Sequence, residues 1–118
     1  MRCSPILACV WAALTAAASG CGQRPLSVAE GLQSELPPER VAACIRAAEQ
    51  HDTSVVPLLV ERLEDSAADV RFFAILALKR VTGQTLGYNY HDRPEERLEA
   101  VCRWRRWLKD RPASGKGG

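Results

Sequence analysis

Histidine, net charge and long apolar runs are all scarce in this sequence of 118 residues, and each scarcity removes a class of function. Its two histidines, His51 and His91, have no cysteine or second histidine at ligand spacing, and there is no C-x-x-C, so no metal centre is expected. No H-E-x-x-H, G-x-S-x-G, P-loop or dinucleotide fingerprint occurs, which leaves no catalytic residue or cofactor to assign and predicts a non-enzyme without a small-molecule substrate. A formal charge of +2 sets up no large single-sign field, so nucleic acid is not an expected partner. The one Ala-rich uncharged run, Pro5 to Ser19, has 15 residues and falls short of the roughly 18 to 20 that a spanning helix needs. Strand patterning is missing too: the best candidate, Leu86 to Tyr90, carries Gly87 and Asn89 and reads as loop. What remains, 47% hydrophobic and 25% charged residues, is a globular composition sufficient for one small all-α domain.

The N-terminus reads as an export address. Arg2 precedes the apolar run, and the small pair Ser19-Gly20 precedes Cys21. Ala18-Ser19-Gly20-Cys21 resembles a bacterial lipobox, with Ala18 where that pattern most often has leucine. The resemblance implies cleavage before Cys21, lipidation of Cys21, and a lipoprotein tethered to the cell or outer membrane and facing the periplasm, because multiple acyl chains anchor stably where one does not. An ordinary cut after Ala16-Ala17-Ala18, leaving Cys21 a plain thiol, is the alternative. Cys3 and Cys9 leave with the signal in either case. Cys44 and Cys102 then remain, either as a disulfide in an oxidising compartment or as packed free thiols. Residues 21–36 are polar and aperiodic with Gly31 in their middle, and are expected to be a tether; residues 37–111 are expected to fold, and 112–118 to fray.

Four segments carry apolar residues three and four apart, the signature of a one-sided helix. The first is predicted from Pro38 to Gln50 with Val41, Cys44, Ile45 and Ala48 inward. The second runs from Ser54 to Glu64, capped by Asp52 or Thr53, with Val55, Leu58, Leu59 and Leu63 inward. The third runs from Ala68 or Asp69 to Thr82 and stops at Gly83. It is apolar nearly all round, through Val70, Phe73, Ala74, Ala77 and Val81 on one face and Phe72, Ile75 and Leu76 on another, and so is expected to be covered from both sides. The fourth runs from Pro94 or Glu95 to Lys109, with Asp92 as its cap and Leu98, Val101, Trp104, Trp107 and Leu108 inward. Only the short stretch Asp65-Ser66-Ala67-Ala68-Asp69 joins the second and third segments, which requires an antiparallel hairpin.

Residues 53–83 resemble a HEAT repeat: Pro57 in the first helix, Asp65 at its end, Val70-Arg71 opening the second, and small Ala74 and Ala77 within it. The resemblance implies a short α-solenoid of about four helices in which Asp65 pins the turn and Arg71 joins a ladder of polar contacts to the next repeat. Read without it, they are a capping aspartate and a solvated arginine. Glu39 to His51 resembles the second helix of a preceding repeat whose first helix is missing. Arrays generally need three repeats to bury a core, so the ends need closing, and Trp104 and Trp107, three apart on one face, are the candidates.

Two segments are candidate partner surfaces. The last helix interleaves Arg103, Arg105 and Arg106 with its tryptophans, suited either to a membrane surface or to plain solvation. The loop from Gln84 to Arg93 gathers Tyr88, Tyr90 and His91, which either meet a partner or fold back over the helix ends. Tyr88, Tyr90, Arg103 and Arg106 are thus the expected contact residues for an unidentified protein partner. The overall expectation is a lipid-anchored, HEAT-like protein-binding module. A structural or membrane-contacting envelope lipoprotein is the alternative. The resemblance also touches bilin lyases, whose site residues do not map onto this chain.

Overall fold

The computed structural model describes residues 24–111, which are 68% helical and contain no strand, so the class is all-α. The expected signal segment, Cys21 with the two residues after it, and residues 112–118 lie outside the described residues.

The first element is one the sequence reading assigned to the tether. Helix α1, Val28–Leu32, is a single turn held at its start by a reciprocal cap: the Ser27 hydroxyl accepts from the Glu30 amide at 3.1 Å, and the Glu30 carboxylate accepts from the Ser27 amide at 2.8 Å. Arg24 donates to the same carboxylate at 2.7 and 3.2 Å. That contact, followed by the Ser27 amide, draws the Glu30 carboxyl down to about 2. Leu32 is fully buried, so the folded domain begins well before Pro37. Gly31 is the reason the turn fits: a Cβ there would stand 2.8 Å from the Ala43 Cβ. It weakens the helix locally but permits the approach of α1 to its neighbour.

Helix α2, Pro37–Glu49, starts on two prolines, whose missing N–H groups are unpaired in a first turn anyway. Its buried face is Arg40, Ala43, Cys44 and Ala47, rotated from the expected stripe; Ile45 is 38% exposed and Val41 only half-buried. The rotation follows from α1, which packs on the side the sequence reading left to solvent. A 3₁₀ turn, Thr53–Val55, is capped by the Asp52 carboxylate, which accepts from the Ser54 amide at 3.0 Å. It runs into α3, Val56–Arg62, with Pro57 in the first turn. Helix α4, Ala68–Thr82, ends on Gly83 at φ 79°, a left-handed conformation that glycine adopts without steric cost. Helix α5, Pro94–Asp110, is capped at Arg93 and not at Asp92: Glu96 reaches back to the Arg93 amide at 3.3 Å and its guanidinium at 2.8 Å. That contact holds the Glu96 carboxyl below the usual range.

In space, α2 lies on α4, α1 lies on α2 and α3 on α4, while α3 also touches α1 on one side and α5 on the other. The core between them is aliphatic around one indole: Leu32, Leu59, Leu63, Leu78, Val101 and Trp104 are fully buried. Burying that indole removes roughly 200 Å² from water, worth about 5 kcal/mol as an upper figure. Leu98, expected inside, is 48% exposed. Leu76 on α4 is 44% exposed, so the helix is not covered on every side.

Candidate interaction surfaces

At the α3–α4 turn, Asp65 is buried and accepts a fork from Arg40, Nε to Oδ2 at 2.8 Å and Nη2 to Oδ1 at 3.0 Å. The Ala67 amide donates to Oδ1 at 3.0 Å, and Arg62 approaches at 3.5 Å. Burial works to raise the Asp65 carboxyl, but hydrogen bonds from Arg40 and Ala67 and the charges of Arg40 and Arg62 outweigh it and hold the group below its ordinary value. Arg71 is not a freely solvated side chain. It donates to the carbonyls of Asp65 at 2.8 Å and Ser66 at 3.3 Å through Nη1, and to Tyr90 at 3.2 Å through Nε. Arg40 is the residue that sequence reading missed. It is the fourth residue of α2 as Arg71 is the fourth of α4, and each donates Nη1 to the carbonyl six residues earlier at 2.8 Å, Arg40 to Ser34 and Arg71 to Asp65.

The loop after α4 is consumed by the fold. Tyr88, expected at a partner surface, is 6% exposed, with its hydroxyl donating to the Leu63 carbonyl at 2.6 Å. Burial pushes that phenol up. Tyr90 is half-buried, edge-on to Phe72 at 5.0 Å and to His91 at 4.9 Å. Leu86 sits at φ 51°, an unusual conformation for a branched residue, and its carbonyl accepts from Arg103 Nε at 2.8 Å. Trp104 Nε1 donates to the Thr85 carbonyl at 3.0 Å, and Trp107 packs edge-on at 5.4 Å, half-buried under Arg111.

Part of the basic stripe is held in place by such contacts, and one of its charges is paired. Arg97 donates to the Asp92 carbonyl, Arg105 pairs with Glu64, and Arg103 is committed to Leu86. Of the expected contact residues, Arg103 and Arg106 are exposed, Tyr90 is half-buried and Tyr88 is buried.

The larger opening lies elsewhere. Between α2 and α4 runs a groove of about 790 Å³, floored by Cys44 and Ala77, walled by Ile45, Ala48, Phe73 and Leu76, and edged by Glu49, Lys79 and Arg80. Burial pushes the Cys44 thiol up to about 12, so it stays protonated and does not act as a nucleophile. Cys44 and Cys102 are both free thiols, the first buried and the second exposed on α5. No group of three metal-ligating side chains occurs among the described residues, and none of their helices is long and apolar enough to cross a membrane. Comparison with protein-family models, with curated proteins and with solved structures finds no match to this chain.

Proposed function

We propose that the chain is a lipid-anchored, non-catalytic interaction module, a shortened HEAT-like solenoid that presents the α2–α4 groove to another macromolecule in the cell envelope. The observation that carries this reading is the groove itself: apolar, open, and lined by Ile45 and Leu76 at 38% and 44% exposure, with its one thiol inert. Isolated exposed side chains need no explanation, but here two of them share one groove with a charged edge, and that grouping supports a contact site. The solenoid reading is supported by the helix order. Helices α1, α3 and α5 follow one another in contact, α2 and α4 pack side by side, and Arg40 and Arg71, each fourth in its helix, donate Nη1 to the carbonyl six residues earlier, both at 2.8 Å. Tethering through Cys21 would raise the local concentration of a partner and make a modest groove sufficient.

Two measurements test the reading. The intact mass of the mature N-terminus should show an acylated Cys21, and a cleaved chain with a free thiol there would remove the anchor. A photo-crosslinker placed at Ile45 should give a discrete protein adduct that Leu76→Lys abolishes, whereas an unchanged adduct would remove the groove.

A further inference from the structure

We propose that the occupant of this groove is the same face of a second copy of this chain, laid antiparallel; the proposal rests on the interaction-module reading above. Its basis is the exposed face of α4. Asp69, Phe73, Leu76 and Arg80 stand four, three and four residues apart, which puts them on one side of the helix. Asp69 and Arg80 are exposed, Leu76 is 44% exposed, and Phe73 is half-buried at the groove wall.

The order is acid, aromatic, aliphatic, base, and both pairs share one midpoint, between Phe73 and Leu76. An antiparallel copy therefore sets Asp69 against Arg80 of the second copy and Phe73 against its Leu76, each contact occurring twice. A parallel copy would oppose acid to acid and base to base, and like charges brought together at an interface cost several kcal/mol. An acidic amphipathic helix from another protein would suit the end that carries Lys79 and Arg80, but would leave Asp69 against a like charge. A basic helix fails at the opposite end. The second copy satisfies both ends at once, and Ile45 of α2 widens the apolar centre.

Two adjacent helices of 13 and 15 residues offer a face of roughly 20 by 20 Å, about 400 Å² per copy. The sum falls below the ~1,000 Å² of a stable interface, so the dissociation constant is expected to be on the order of 100 µM. Such a contact forms when copies are concentrated on one surface and dissolves when they are dilute.

Sedimentation equilibrium of the full chain in density-matched detergent tests this. The wild type should pass from monomer to dimer as concentration rises, and Leu76→Asp should remain monomeric. Asp69→Arg and Arg80→Asp should each weaken the dimer by about tenfold or more, since each places like charges in contact. The double variant carrying both changes should recover wild-type association. Because both residues are exposed, circular dichroism should show the helix content retained in all three charge variants, with thermal midpoints lowered only slightly, since Asp69 lies in the first turn of α4 and Arg80 in its last and each reversal opposes the helix dipole. A wild type that stays monomeric to about 1 mM, well above the expected constant, overturns the proposal. So does a double variant no better than the singles. If the dimer is absent while the Ile45 crosslink to a different protein persists, the module reading stands and only its occupant is refuted.

Discussion

The two ends of this helical stack are closed by opposite means. At the C-terminal end a large side chain does it: Trp104 is fully buried, its indole nitrogen donates to Thr85, and Tyr88 and Arg103 reach the carbonyls of Leu63 and Leu86 to draw the loop over the layer. At the N-terminal end the absence of a side chain does it, since Gly31 lets one helical turn settle against Ala43 and bury Leu32. Each solution removes an apolar surface that another helix would otherwise have to hide. The outer α2–α4 face receives neither treatment. It is the apolar surface left over once the ends are finished, which is why binding is proposed there and not at the aromatic loop or the arginine-rich helix.

Removing the large side chain should break the comparison most severely. Trp104→Ala takes away a fully buried indole, its edge contact with Trp107 and the bond to Thr85, and should cost near the top of the ~3 to 5 kcal/mol range for such truncations. Trp107→Ala, at a half-buried position, should cost less than half as much. Urea unfolding followed by circular dichroism reads both, and equal losses would mean that the C-terminal end is not closed by Trp104 in particular.

Between the two ends, Asp65 joins α2 to the α3–α4 turn. Asp65→Asn leaves the buried Arg40 guanidinium without its counter-charge and should cost roughly 3 kcal/mol at pH 7. The pH dependence has a definite sign. A carboxyl whose folded pKa is lowered contributes its full stability above the unfolded value near 4, and loses it as pH falls through the lower folded value. Acidification from pH 5 to pH 2 should therefore erode the wild type more steeply than Asp65→Asn. Parallel acid profiles would show that the pair contributes no charge-dependent stability.

The middle of the chain was legible because its signals are local and redundant. Pro57, Asp65 and Gly83 mark helix start, turn and stop, and the apolar period between them fits only a helix of limited length. Faces were harder to read. Ile45 was expected inward because periodicity fixes which residues share a face but not which of two apolar arcs a neighbour covers, and the neighbour, α1, had been read as tether. Arg40 escapes sequence reading because an arginine reads as surface until its buried partner is known, and Tyr88 stays between a partner and the helix ends because a loop has no period from which to assign an inside. In the groove, Phe73 and Leu76 were recognised as apolar, but their helix was expected to be covered all round. The uncovered arc follows from the chain continuing from α4 into a loop and α5, which leaves no other helix of the described residues beside that arc.

The N-terminal end supplies the smallest effect and the one whose sign decides most. For an ordinary exposed helical glycine, Gly→Ala stabilises by about 0.5 to 1 kcal/mol, because alanine loses less backbone freedom on folding. Gly31→Ala should do the reverse. Its new Cβ would meet the Ala43 Cβ at 2.8 Å, and neither atom can swing aside, so α1 must shift outward. Overpacking of this kind costs about 1 to 3 kcal/mol, and a one-turn helix that can move puts the expected value near the lower limit, about 1 kcal/mol net. The displacement should also raise amide hydrogen exchange at Gly31 and Leu32 while leaving α4 and α5 protected, since those helices do not pack on α1. A stabilising Gly31→Ala would mean that α1 is not seated on α2. Leu32 would then be free to leave the core, and the N-terminal end of the stack would be open after all.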